Sequence, residues 1–222
     1  MLRRFAALCA VVSVVIGLAG CKKKTRDIVL LPETQTPMGQ EYKDPDGAFS
    51  LRIPEGWRQD KETQAPGIVA VFVPEGAEAG TNISIQAENV GATALEYYSH
   101  LNEQNSKRVL NGYQPLGERE AANLDGAPAA VARFRFDRGG QVYESLRYLV
   151  INHGEAYQIT LTASQGSLKG YEDAYYGLLN SWKFSQPWSE TPPAPAEQGA
   201  PTEAKPDKGP SAPNAKPEAP GS

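Results

Sequence analysis

Between residues 127 and 163 three long apolar-rich runs are separated by two short glycine turns, and nothing else in the chain restricts its fold as much. The first run, 127–137, carries Val131, Phe134 and Phe136, and Arg138-Gly139-Gly140 ends it. The second, 141–151, ends at Asn152-His153-Gly154, and the third, 155–163, places Tyr157, Ile159 and Leu161 on one face. Runs this close in sequence can pair only as antiparallel neighbours, because a parallel pair needs a crossover of a dozen or more residues. The middle of the protein is therefore expected to be an antiparallel meander.

The residues before it add strands and a helix. Asp44-Pro45-Asp46-Gly47 reads as a turn, and Phe49, Leu51 and Ile53 alternate as a strand face that Pro54-Glu55-Gly56-Trp57 stops. Ile68 to Val73 is apolar on both faces, which predicts a central strand, and Asn82 to Ala87 alternates with Ile83 and Ile85 inward. Thr93 with Glu96 forms a capping-box pattern ahead of Ala94, Tyr97, Tyr98 and Leu101, predicting a helix to about Asn105 or Lys107. After the Asn111-Gly112 turn and the meander, Leu168, Tyr171, Tyr175, Leu178 and Trp182 make one stripe on a helix over 167–181. Strands, helix, strands, helix predict an α+β fold: an α-β-α sandwich, mostly antiparallel sheet with helices packed on it.

The ends have a different character. Residues 1–20 open with Arg3 and Arg4, then run from Phe5 to Gly20 without a charge, too short to span a bilayer comfortably. Leu18-Ala19-Gly20-Cys21 resembles the lipobox of bacterial lipoproteins. That resemblance implies a signal peptide cleaved between Gly20 and Cys21 and acyl chains on Cys21 that anchor the protein to a membrane. Residues 21–40 read as an anchored N-terminal tether; Ile28-Val29-Leu30-Leu31 is either an edge strand or an apolar patch on it, and the second reading is preferred. Residues 41–188 make one globular domain. Residues 189–222, rich in Pro and Ala without large apolar side chains, read as a disordered tail, either passive or a spacer or peptide ligand.

Charge and cysteines narrow the function. The net charge of -4 argues against nucleic acid as a partner. The basic cluster Lys22-Lys23-Lys24 with Arg26 is either a solvated tether start or a patch for anionic head groups. Cys9 and Cys21 are the only cysteines, so the expected mature domain has no disulfide and must rest on its core.

Tyr42…Asp46-Gly47-Ala48-Phe49-Ser50-Leu51-Arg52-Ile53-Pro54-Glu55-Gly56-Trp57 resembles the opening of PsbP/DcrB/Mog-like domains. The stretch from Ala156 to Ala163, followed by a helix ending Asn180-Ser181-Trp182-Lys183-Phe184, resembles their close. The likeness implies an α-β-α sandwich around an antiparallel sheet and a non-enzymatic binding or assembly role, and it brings no catalytic motif. Trp57 itself is read as a core residue packing back on the sheet edge.

Chemistry-bearing patterns are sparse. His100 and His153 have no partners at metal-ligand spacing, and Asp44 with Asp46 lacks the later ligands of a calcium loop, so no metal or cofactor is expected. Glu118 and Glu120 are an acid pair of the kind any polar strand face carries, and no nucleophile elbow or phosphate-cradling loop occurs. Asn82-Ile83-Ser84 matches a glycosylation sequon inside an expected strand. The tyrosines at 97, 98, 143, 148, 157, 171, 175 and 176 suit core margins first and a binding groove second. The expectation is a membrane-anchored, non-enzymatic binding or interaction module with an envelope protein partner, possible help in assembling an envelope complex, and no catalytic residues. It faces the periplasm from the outer membrane by preference, the inner membrane being the other choice. A cryptic envelope hydrolase and a small-molecule or lipid carrier are the alternatives.

Overall fold

The computed structural model describes residues 28–63, 65–77 and 79–189. The signal segment, Cys21 and the tail from residue 190 lie outside the described residues.

The elements in chain order are β1 (Ile28–Val29), β2 (Met38–Lys43), β3 (Phe49–Pro54), β4 (Trp57–Gln59), β5 (Ile68–Pro74), β6 (Asn82–Asn89), α1 (Leu95–Val109), β7 (Gln114–Pro115), β8 (Glu120–Leu124), β9 (Ala127–Arg138), β10 (Gln141–Asn152), β11 (Glu155–Ser164), a 3₁₀ turn (Leu168–Tyr171), α2 (Glu172–Asn180) and β12 (Lys183–Phe184). A large sheet runs in the order β1-β8-β9-β10-β11-β6-β5-β4, with β7 also paired to β9. A small sheet, β12-β3-β2, lies apart from it. The expected meander is the centre of the large sheet: β9, β10 and β11 pair antiparallel in continuous register. Their turns work because Gly139 and Gly140 at one end, and His153 and Gly154 at the other, take positive φ, the twist that a two-residue hairpin needs.

Helices cover the two faces of the large sheet. On one side α2 and the small sheet bury Leu146, Tyr148 and Val150 of β10 together with Ile83, Ile85 and Ile159. Trp182 stacks on Phe49 there, with centroids 4.0 Å apart and planes at 12°, and the Tyr175 phenol donates to the Ile159 carbonyl at 2.6 Å. Each such buried aromatic or aliphatic side chain contributes ~1.5–3 kcal/mol, so this layer carries most of the stability. On the other side α1 rests on Leu149 and Ala156 through Tyr98. The α+β sandwich is thus as expected, with a small second sheet added beside α2.

Several local expectations need correction. Ile28 and Val29 form a parallel edge strand against Ala121 and Ala122, because the edge of β8 offers unpaired backbone groups that a patch on a free tether would leave open. The segment behind them is also laid on the domain: Asn180 donates to the Pro32 carbonyl at 2.8 Å, and the Thr36 hydroxyl donates to Asp173. The strand at Ile68 to Pro74 stands second from the edge, covered beyond by only the three residues of β4. Thr93 does not cap α1. Its hydroxyl turns back to the Val90 carbonyl at 2.6 Å, and Ala94 occupies the cap position without a side-chain bond. The last helix begins as a 3₁₀ turn, and α2 proper starts at Glu172.

The face of α1 also differs from the predicted stripe. Tyr97 and Leu101 are 59% and 41% exposed, while Tyr98, Ser99 and Ser106 are buried. The helix has rotated its polar side towards the sheet. Beneath that side lies Arg147, and the guanidinium draws hydroxyl and amide groups inward.

Candidate functional site

Arg147 sits in the middle of β10, on the α1 side of the sheet, opposite Thr160 of β11 and Ala132 of β9. Alternation along β10 puts Ser145, Arg147 and Leu149 on this face and Leu146, Tyr148 and Val150 on the other. Its guanidinium is held on several sides by neutral groups. Nε donates to Thr160 Oγ1 at 3.1 Å, and Nη1 donates to Asn102 Oδ1 at 2.5 Å and Ser106 Oγ at 3.1 Å. The guanidinium carbon lies 4.7 Å from the centre of the Phe134 ring, a cation-π contact.

What Arg147 lacks is an acid. Among the described residues no carboxylate forms an ion pair with it, and Nη2 donates to none of them. Burial pushes its guanidinium down from the ordinary arginine value, and the nearby groups opposing that shift are the phenols of Tyr113, Tyr98 and Tyr175. Buried charges are ordinarily paired, so a half-enclosed cation met only by neutral groups is an exception that calls for an explanation.

Arg147 stands between two clefts. One, of about 360 Å³, opens between α1 and β9 and is lined by Asn102, Ser106, Tyr113, Arg119 and Phe134 among others. At its rim Arg119 donates to Ser99 and lies 3.6 Å from Glu103, whose carboxyl is held below its ordinary value chiefly by its hydrogen bond from Lys107. The other, of about 480 Å³, lies on the sheet beyond the end of α1. Its floor is polar: Ser84 and Gln86 of β6, Ser145 of β10, and Thr160 and Thr162 of β11. The Ser145 and Thr162 hydroxyls are bonded to each other at 2.9 Å. A second arginine flanks it, for the Arg138 guanidinium lies 5.3 Å from the centres of both the Phe136 and Tyr143 rings. Aromatic faces thus back both arginines.

The residues singled out in the sequence fall elsewhere. His100 is exposed on α1 with Gln104 at 2.7 Å, and His153 is exposed in its turn, 3.0 Å from the Pro187 carbonyl. Glu118 is at the rim of the first cleft and Glu120 opens β8, both exposed. Asp44 is buried and accepts the Ala48 N–H at 3.0 Å, an ordinary turn contact. No group of three or more metal-ligating side chains occurs among the described residues. Trp57 is half-buried at the sheet edge, edge-on to Tyr171 at 5.9 Å. Of the tyrosines, those at 98, 143, 148, 157 and 175 are buried, and Tyr97 is open to solvent. Arg147 drew no attention in the sequence. Its one signal was a charge on the strand face that also carries Tyr143, Ser145, Leu149 and Ile151.

A family model described as the serine/threonine kinase C-terminal domain matches residues 40–184, the sandwich apart from β1 and the first two residues of β2. The chain belongs to that family. No curated protein matches it in sequence. Solved structures share the architecture of this serine/threonine kinase C-terminal domain at low identity. The cyanobacterial PsbP (CyanoP) of Synechocystis sp. PCC 6803 is 18% identical over 65% of this chain and 91% of its own, with a TM-score of 0.50. LpqN of Mycobacterium tuberculosis, described as involved in cell envelope biogenesis, is 19% identical over 66% of this chain and 91% of its own, with a TM-score of 0.52. The fold is therefore PsbP-like, as the opening and closing motifs implied.

Proposed function

We propose that this protein is a non-enzymatic binding module of the cell envelope, held to a membrane through an acylated Cys21, and that it engages its partner through the clefts at Arg147. In this reading residues 1–20 are the signal peptide, 21–40 the anchored entry segment, 41–188 the binding domain and 189–222 a tail. The periplasmic face of the outer membrane is the preferred location.

The observation that carries the binding role is the unneutralised Arg147. A protein gains little stability from a cation taken out of water and left without a counter-charge. Such a group is retained where a ligand supplies the missing charge, and functional sites are where that kind of cost is tolerated. The family description supports the same reading. It names a domain at the C-terminal end of serine/threonine kinases, and this sequence has no phosphate-cradling loop of its own. The description of LpqN, a protein of similar fold, suits an envelope setting. A lipid carrier is disfavoured by the lining of the clefts, where arginines, hydroxyls and amides take the places that an acyl chain would need apolar.

The test is photo-crosslinking in intact cells from two positions, Glu118 at the cleft rim and Lys169 on the 3₁₀ turn before α2. The expected result is a reproducible adduct from position 118 that is absent from position 169 and lost with Cys21→Ser. Equal yields from the two positions would overturn the cleft as the binding face. Adducts indifferent to Cys21→Ser would overturn the anchor's part in it.

A further inference from the structure

We propose that the second cleft binds an oxyanion carried on a hydroxyl-rich scaffold, an acidic saccharide, with Arg147 as the anion anchor. The inference rests on the binding role proposed above and names its ligand.

Three observations converge on that chemistry. The first is the count of donors on Arg147. A guanidinium has five N–H groups, and three are taken by Thr160, Asn102 and Ser106. The two on Nη2 remain, and each can donate to an oxygen of a carboxylate or phosphate. The side-by-side fork that Arg usually offers is closed here, because Nε and Nη1 are already engaged.

The second observation is the floor. Ser84 stands directly opposite Thr160 across β6 and β11, and Asn82 stands opposite Thr162. Ser145 continues the row at Thr162. A sheet face paved with hydroxyls and amides over three strands is unsuited to an apolar ligand. Its half-buried groups are Asn82, Ser84 and Gln86 of β6, which present amide and hydroxyl donors and acceptors, while Ser145, Thr160 and Thr162 lie buried beneath the surface.

The third is Arg138. It lies at the far side of the cleft, backed by Phe136 and Tyr143, and forms no ion pair with an acid among the described residues. Two cations supported by aromatic rings stand in the lining against one carboxylate, Asp60, which accepts from the Thr63 hydroxyl and the Glu62 backbone N–H and pairs with neither arginine.

The experiment is a titration of the full chain in detergent solution, followed by NMR at the Arg147 Nε–Hε group and the backbone amides of Ser84, Thr160 and Thr162. The probes are glucuronate, glucose 6-phosphate, neutral glucose, acetate and inorganic phosphate. Glucuronate or glucose 6-phosphate is expected to shift these signals saturably, binding at least about tenfold tighter than glucose, the factor that a charge-assisted hydrogen bond supplies. The tighter of the two acids tells whether the oxyanion is a carboxylate or a phosphate. Arg147→Met is expected to abolish the preference over glucose. If that variant fails to fold, the Arg147 signal of the unaltered chain still decides the matter. Acid sugars that leave it unmoved, or acetate and phosphate that bind as well as the acid sugars, overturn the proposal. If they do so while the rim crosslink persists, the ligand class is wrong and the binding role stands. Loss of both removes the binding role as well.

Discussion

The backbone N–H of Phe184 donates to Asp125 Oδ2 at 2.8 Å, and the neighbouring Lys183 ammonium lies 2.8 Å from the other oxygen of the same carboxylate. Asp125 is at the tip of the β8–β9 hairpin with φ at 47°, a conformation Asp tolerates better than most residues. One side chain therefore shapes a turn of the large sheet and fastens the end of the domain to it. Asp125→Ala is expected to cost about 2–3 kcal/mol, from a lost charge-assisted bond and a strained turn. Asp125→Gly relieves the turn and should cost less. Urea denaturation of the two variants orders them, and equal losses would show that the turn contributes nothing.

Glu155 is the acid whose surroundings disfavour its charge. Burial is the main cause, with Asp44, Glu88 and Asp46 adding repulsion, and all four raise its carboxyl above the ordinary value of 4.5. A raised folded value means that the native state holds the proton more tightly than the unfolded chain. The charged form thus costs stability at neutral pH, and the cost disappears as pH falls through the folded value. Glu155→Gln should stabilise the domain at pH 7 by a few tenths of a kcal/mol, given partial solvent screening. The gain should vanish near pH 4, below which the wild-type carboxyl is also neutral. Thermal melts of both proteins across that range check it, and a gain independent of pH would refute the electrostatic cause.

Buried phenols set the alkaline limit. Burial raises Tyr98, Tyr148 and Tyr175 above the ordinary value of 10.0, and Tyr157 is pushed up to about 12. The unfolded chain releases these protons first. Stability should therefore be flat to about pH 9 and fall steadily above pH 10, at up to about 1.4 kcal/mol per pH unit for each such tyrosine. Denaturation midpoints at pH 8 and pH 11 measure the fall. Midpoints that do not move would mean that water reaches these rings.

The entry segment should matter energetically. A chain beginning at residue 41 loses the β1–β8 pairing, the Pro32 and Thr36 contacts with α2, and the Gly39 carbonyl that accepts from Arg52 at 3.2 Å. It should be less stable than one beginning at residue 28 by about 2–4 kcal/mol, the sum of several small terms. Equal urea midpoints would show that residues 28–40 contribute nothing.

The central sheet could be read from the sequence because Phe134, Phe136, Tyr157, Ile159 and Leu161 alternate and their turns carry glycine at positions that need positive φ. The edges were harder. β8 is Glu-Ala-Ala-Asn-Leu, whose small residues give little period, although Asp125-Gly126 after it is a hairpin signal. β1 is too short for any period and depends on a partner more than 90 residues away. The site was hardest, because the face of α1 could not be decided from α1 alone. Apolar spacing favoured Tyr97 and Leu101, whereas the arginine beneath selected Asn102 and Ser106. A helix follows the chemistry of the surface it covers, and that surface is built from a strand forty residues downstream.

The docking of Ile28 on the sheet edge sets a leash. From Cys21 to Ile28 there are seven residue steps, and a fully extended chain spans at most about 3.6 Å per step, or ~25 Å in all. With the acyl group proposed at Cys21, the domain cannot range freely above the bilayer. The β1–β8 edge must stay within one small-domain diameter of the lipid head groups, so whatever enters the Arg147 clefts must be reachable from the membrane surface.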